Sequence, residues 1–138
     1  MFLADTNVIS ETFRRGRENQ GVRKFFRRAE DDQNAVHLSV VTVGELRRGV
    51  ENLRRKGDAP QSARLRIWLD DILKEYEERI LPVDKEIGEL WGRLRAPHPE
   101  PALDKLIAAT ALVYGLTVVT RNVKDFRGSG VNMLNPFE

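Results

Sequence analysis

Short apolar runs alternate along the chain with longer segments whose apolar residues recur every three or four positions. The short runs are typical of buried strands, and the longer segments are typical of helices that pack on a sheet. Strands are predicted at residues 2–4, 36–41, 80–83, 116–120 and 131–134. Because strands that are apolar on both faces belong to a parallel sheet covered on both sides, the pattern predicts an α/β fold.

The predicted helices carry apolar stripes at residues 22–29, 43–53, 65–76, 87–94 and 102–114. We expect Thr42 to open the second helix and the segment from Gly57 to Pro60 to end it. Prolines at positions 97, 99 and 101 interrupt the chain before the last helix, and Gly115 ends that helix as a C-terminal glycine would.

Four acidic residues fall close to the predicted strand ends. Asp5 follows the first strand, Glu45 is expected in the first turn of the helix after the second strand, Asp104 lies in the first turn of helix 102–114, and Asp125 follows strand 116–120. Groups beyond the carboxyl ends of parallel strands converge on one crevice. Crowded carboxylates repel one another, and a hard divalent cation relieves that repulsion. Oxygen-only ligands favour Mg²⁺ or Mn²⁺ over zinc, so the four acids are predicted metal ligands.

Each of these acids also has a structural alternative. Asp5 could cap a following helix, and Thr42 to Glu45 match a capping box in which Glu45 reaches back to the Thr42 amide. Asp104 could complement a helix N-terminus, and Asp125 could serve ordinary turn chemistry. The joint placement of all four favours the metal site over four separate structural roles.

Composition narrows the function classes only slightly. Lys and Arg total 23 against 21 for Asp and Glu, and the basic clusters at 14–17 and 47–56 suit either phosphates or solvated helix faces. The absence of cysteine excludes disulfides, zinc–thiolate sites and a thiol nucleophile. With no signal-like start and no membrane-spanning apolar stretch, we expect a soluble cytoplasmic protein that does not associate with membranes.

Four segments resemble PIN-domain nucleases, especially the VapC-type toxins of bacterial toxin–antitoxin pairs. They are LADTNV at 3–8, SVVTVGEL at 39–46, LDKLIAATA at 103–111 and TRNVKDF at 120–126, with a tail NPF at 135–137. The segments occur in the family's order and span essentially the whole chain. The resemblance therefore implies that residues 1–138 form a single PIN-like nuclease domain, a three-layer α/β/α sandwich around a central parallel sheet.

The resemblance also implies an activity, which is endoribonuclease cleavage of RNA phosphodiesters by metal-activated water with Mg²⁺ or Mn²⁺ as cofactor. It assigns the metal-site acids to Asp5, Glu45, Asp104 and Asp125. Thr120 and Asn122 match polar positions at the end of the fourth strand, where they are expected to act in catalysis by orienting a carboxylate or water. Asn7 matches a common neighbour of the first acid.

The implied partners are an RNA substrate and a cognate antitoxin protein, and we expect a homodimer and a hetero-oligomer with the antitoxin. The main alternative is a non-catalytic RNA-binding or regulatory protein on the same scaffold. A phosphatase of the Asp-x-Asp type is disfavoured because Asn7 occupies the second position and cannot donate a proton in the required way. A receiver domain is disfavoured because no lysine ends strand 131–134.

Overall fold

The computed structural model describes residues 1–138 and contains five strands and seven α-helices. The strands are β1 (Phe2–Ala4), β2 (Val36–Ser39), β3 (Ile80–Leu81), β4 (Thr117–Val119) and β5 (Met133–Leu134). The helices are α1 (Thr6–Glu11), α2 (Gln20–Asp31), α3 (Val40–Arg55), α4 (Ala59–Glu75), α5 (Lys85–Arg95), α6 (Ala102–Tyr114) and α7 (Val123–Phe126). A short 3₁₀ helix, Glu77–Arg79, precedes β3. None of the helices combines the length and apolar character needed to cross a membrane.

The strands form one sheet in the order β3-β2-β1-β4-β5, and every neighbouring pair is parallel. The predicted parallel sheet is therefore confirmed. Because successive side chains of a strand point to opposite faces, Leu3 and Val118 enter one core while Ala4 and Val119 enter the other. All the carboxyl ends of the strands lie along one edge of the sheet, where a site can form.

Two separate cores cover the two faces of the sheet and confirm the three-layer α/β/α arrangement. The core on one face is made with helices α1 to α4, and the core on the other is made mainly with α6 and α7. The first includes Val8, Ile9, Val22, Leu46, Val50, Trp68, Leu69 and Ile72, and the second includes Ile107, Ala108, Ala111, Leu116, Phe126 and Val131.

Helix α3 begins at Val40, two residues before the predicted start at Thr42. The Ser39 hydroxyl caps the helix by accepting the Val41 N–H at 3.0 Å, so β2 stops at Ser39 and the predicted strand 36–41 was too long. Thr42 is consequently buried inside the helix, and Glu45 lies in the second turn and not in the first. The capping-box interpretation of Glu45 is therefore wrong.

Other boundaries also differ from the sequence prediction. Helix α1 was not predicted, and Asp125 lies in the short helix α7 and not in a plain turn. Gly57 follows α3 with a φ of 85°, as expected for a helix-ending glycine, whereas Pro60 lies in the first turn of α4. Strands β3 and β5 are each two residues long and shorter than predicted.

Candidate metal centre

Asp5 lies directly after β1 at the carboxyl edge of the sheet and is almost fully buried. Its Oδ1 accepts the Thr6 N–H at 2.8 Å, which caps helix α1. Its Oδ2 accepts the Thr120 hydroxyl at 2.8 Å and the Asn7 side-chain amide at 3.3 Å. The capping role considered from the sequence is therefore real, and the same hydrogen bonds hold the carboxylate in one orientation at the edge of the sheet.

Thr120 and Asn7 join the loop after β1 to the loop after β4. Thr120 is fully buried, and its Oγ1 accepts the Asn122 N–H at 3.0 Å while donating to Asp5. The Asn7 Oδ1 accepts the Arg121 N–H at 3.0 Å. These bonds fix the backbone of residues 120–122 against Asp5.

A cleft of about 320 Å³ opens beside Asp5 and brings together residues from all four sequence motifs. Glu45 reaches it from the second turn of α3, and Asp104 reaches it from the first turn of α6. Asn122 lies on the same wall. The remaining lining residues are Thr6, Asn7, Val41, Leu103 and Ile107. The sequence analysis did not identify the apolar lining residues as part of the site. A signal was present at Leu103, which lies in the motif at 103–111 and is about half exposed.

Asp125 does not line the cleft, but it lies close to Asp104. Burial first, and then the charges of Asp5, Asp125 and Glu45 together with a carboxyl–carboxyl hydrogen bond to Asp125, raise the pKa of Asp104 to about 6. Burial also raises the pKa of Asp5 above its usual value, while the hydrogen bond from Thr120 opposes that rise. The four acids therefore affect one another electrostatically.

None of the four acids has a basic partner within 4.0 Å, because the five ion pairs of the protein involve other acids. No three acidic or histidine side chains converge into a ready coordination shell. The donor set nevertheless fits a hard divalent cation, since it consists of oxygen ligands that repel one another when ionised. The residues best placed to hold such a cation are Asp5, Glu45 and Asp104, with Asp125 beside them.

The two histidines lie outside this arrangement. The His37 ring nitrogen Nδ1 lies 3.3 Å from the Phe2 carbonyl oxygen, between neighbouring strands. His98 is exposed in the proline-rich loop, where its carbonyl oxygen accepts the Lys105 ammonium. Neither residue lines the cleft.

Comparison with known proteins places the chain in a family. The family model for the PIN domain matches residues 2–128. The toxin FitB of Neisseria gonorrhoeae is 35% identical over 142 residues, which cover 99% of each chain. The VapC ribonuclease Y4jK of Sinorhizobium fredii is 30% identical over 149 residues, which cover 100% of this chain and 99% of that protein.

A solved structure shows the same architecture. The crystal structure of FitAcB from Neisseria gonorrhoeae matches with a TM-score of 0.84 and 35% identity, covering 100% of this chain and 99% of that one. The family model, the full-length relatives and the fold agree with the family resemblance found in the sequence. The chain belongs to the PIN-domain family and, within it, to the VapC-type group.

Proposed function

We propose that this protein is the toxin of a toxin–antitoxin pair and acts as an endoribonuclease that depends on Mg²⁺ or Mn²⁺. The observation that carries the proposal is the set of uncompensated acids at the carboxyl edge of the sheet, Asp5, Glu45, Asp104 and Asp125. The names of the relatives, a toxin and a VapC ribonuclease, support the same activity for this chain.

The four acids would hold the cation in this proposal. When bound, a divalent cation acidifies a water molecule and offsets the negative charge that develops on a phosphodiester during hydrolysis. The protein contributes by holding the acids in fixed orientations. Thr120 and Asn7 donate to Oδ2 of Asp5, which stabilises its charged form against the cost of burial.

Asn122 is assigned the substrate-orienting role in the cleft. Its main-chain N–H donates to the Thr120 hydroxyl, so the residue is held in the lining of the cleft that also contains Asp104 and Glu45. Its side-chain amide can donate to a phosphate oxygen or orient a water molecule. The apolar side chains of Val41, Leu103 and Ile107 limit the water around these polar groups, which strengthens their electrostatic effect.

The proposed partners are an RNA substrate and an antitoxin, with a homodimer and a toxin–antitoxin hetero-oligomer as the assemblies. A free ribonuclease in a bacterial cell would degrade the RNA of its host, which is a reason to expect an inhibitor made together with it. The relative FitB, which is named a toxin, supports this partnership.

Cleavage of a mixed RNA substrate by the purified protein tests the activity. The Asp104→Asn variant keeps the shape of the side chain but removes a ligand charge, so we expect at least about a hundredfold loss of rate. EDTA should abolish cleavage by the parent, and Mg²⁺ or Mn²⁺ should restore it. Glu51→Gln, which changes an exposed acid near the other end of α3, should cleave like the parent.

Cleavage that survives in Asp104→Asn or in EDTA would contradict the metal site. RNA binding by the parent without any cleavage would favour the non-catalytic alternative. Growth after induction tests the toxin role, because the parent should arrest a bacterial culture and Asp104→Asn should not. Arrest by both proteins would show that toxicity has another origin.

A further inference from the structure

Arg121 is next in the chain to Asn122, which lines the cleft, and its main chain is bonded to Asn7, another lining residue. It lies between Thr120 and Asn122, and its main-chain N–H donates to the Asn7 side chain at 3.0 Å. Its own side chain is exposed and takes part in none of the ion pairs of the protein. Arg121 takes no part in holding the cation or orienting the acids.

The Arg121 guanidinium lies over the Phe137 ring, 4.4 Å from its centroid. Two other arginines lie over aromatic rings, Arg79 over Tyr76 and Arg95 over Trp91. Each of these two guanidinium groups also donates a hydrogen bond to a backbone carbonyl at 2.9 Å, so it helps to stabilise the fold. Arg121 makes no such side-chain bond, and stacking keeps a guanidinium in place while its N–H groups stay available in the plane.

The Phe137 ring is itself held by the C-terminal tail. Phe137 packs partly buried against the first core, and its N–H donates to the Asn135 Oδ1 at 3.0 Å. Pro136 is buried, and its carbonyl oxygen approaches α2 so closely that a Cβ at Gly21 would collide with it. The tail therefore provides a fixed platform for Arg121 beside the loop that carries Thr120 and Asn122.

We propose that Arg121, stacked on Phe137, binds a phosphate of the RNA strand that enters the cleft. This inference rests on the proposed ribonuclease function. The acids of the cleft repel a polyanion, so a strand gains from a nearby cation that no acid of the protein neutralises. A guanidinium is suited to this role because it binds phosphate oxygens through two parallel N–H donors.

RNA binding is measured on the cleavage-silent Asp104→Asn protein, so that affinity is read without turnover. A short fluorescent single-stranded RNA is titrated at several KCl concentrations with Mg²⁺ held constant. When Arg121→Gln is added to this protein, RNA of any sequence should bind about tenfold more weakly. The slope of the logarithm of the binding constant against the logarithm of the salt concentration should become shallower by about 0.7, the value for one phosphate of a single strand. Phe137→Leu should reduce the RNA affinity and the salt slope as well, but by less than Arg121→Gln does. Phe137→Tyr should bind RNA like the protein with Phe137 because it keeps the aromatic ring.

Arg55→Gln is the matched control, since Arg55 is an exposed arginine at the end of α3 farthest from the cleft. It should leave the salt slope unchanged. In the cleaving protein, Arg121→Gln should raise KM about tenfold and change kcat less than about twofold, as expected for lost uniform binding. Circular-dichroism melting identifies any variant that is unfolded, and Arg121→Gln decides the question if Phe137→Leu is unstable.

The inference is overturned if Arg121→Gln and Arg55→Gln give the same affinity and salt slope. It is equally overturned if Arg121→Gln weakens binding of the antitoxin while RNA binding is unchanged, because the residue would then belong to the protein interface. These outcomes are distinct from failure of the proposed function, in which the protein with Arg121 intact would not cleave RNA at all.

Discussion

The acids of the cleft differ from a set of arginine-paired acids elsewhere in the protein in how their charge is balanced. Elsewhere, five acidic side chains each lie within 4.0 Å of an arginine, namely Glu11, Glu18, Glu51, Asp70 and Glu89. In the cleft, Asp104 has no such partner and lies near three further acids, which raise its pKa. The paired acids are neutral or mildly favourable to folding, whereas the cleft acids destabilise the metal-free protein when all are ionised.

Helix α3 contains both kinds of acid. Glu45, in its second turn, faces the cleft, while Glu51, in a later turn, pairs with Arg54 at 2.8 Å. The difference follows from where the helix begins, because Ser39 starts it at the carboxyl edge of the sheet. The early turns therefore face the site, and two glutamates of the same helix meet opposite electrostatic surroundings.

The largest expected effect is stabilisation by a cation. A ligand that binds only the folded state stabilises it by about 3 to 4 kcal/mol at a hundred- to thousandfold excess over its Kd. Mn²⁺ should therefore raise the Tm of the parent by several degrees. Asp104→Asn should show a clearly smaller shift and Glu51→Gln the parental one, measured by thermal melts with and without Mn²⁺. Equal shifts in all three proteins would place the bound cation outside the cleft.

Removal of the Thr120 hydroxyl comes next in size. Thr120→Val leaves the buried Asp5 carboxylate without its 2.8 Å donor and the Asn122 N–H without an acceptor. We expect a loss of about 1.5 to 3 kcal/mol, the range for a hydrogen bond to a charged group. The control is Ser62→Ala, which removes a buried hydroxyl that donates to the neutral Val50 carbonyl and should cost about 1 kcal/mol. Urea unfolding gives both values, and equal losses would show that Asp5 does not depend on Thr120.

The sequence predicted the sheet and the positions of the acids better than it predicted the starts of helices. A run of apolar residues specifies burial but not conformation, so Val40 and Val41 were assigned to a strand although Ser39 caps a helix there. Helix α1 has six residues, too few to show a repeating apolar stripe. The order of the motifs was enough to group Asp5 with Asp104 because parallel strands share one carboxyl edge.

The contacts between distant segments could not be predicted from the sequence. Nothing in the local pattern around Phe137 indicates that its ring lies under Arg121. Gly21 gave no usable signal of a close approach by another segment, because Gly44, Gly88 and Gly92 also lie in helices and no other group comes near them. The approaching group is the Pro136 carbonyl, which belongs to the tail of the chain.

The pH dependence of stability gives a smaller effect. The pKa of Asp104 rises from 3.8 to about 6 on folding, because of burial first and the neighbouring acids second. The stability that this group contributes is fully present below its unfolded pKa and is lost as the pH rises through about 6. Without metal, the parent should thus lose about 1 to 2 kcal/mol relative to Asp104→Asn between about pH 4 and about pH 7, allowing for partial exposure of the carboxyl.

Urea unfolding in EDTA at several pH values measures this difference, with Glu51→Gln as the variant that should follow the parent. Parallel curves for the parent and Asp104→Asn would contradict the prediction. Saturating Mn²⁺ should remove the loss of stability near pH 7, because cation binding favours the ionised acids.

The smallest expected effect is a difference in sign between two substitutions in α3, measured as the change in stability of the metal-free protein. Glu51→Gln removes an exposed pair with Arg54 and should destabilise the metal-free protein by about 0.3 to 0.5 kcal/mol, a loss that high salt should abolish. Glu45→Gln removes a charge that repels Asp104, so it should leave the metal-free protein equally stable or slightly more stable. Helix propensity does not blur the comparison, since Glu and Gln are nearly equivalent in helices. Urea unfolding in EDTA at low and high salt measures both, and a loss in Glu45→Gln as large as that in Glu51→Gln would show that the cleft acids are balanced after all.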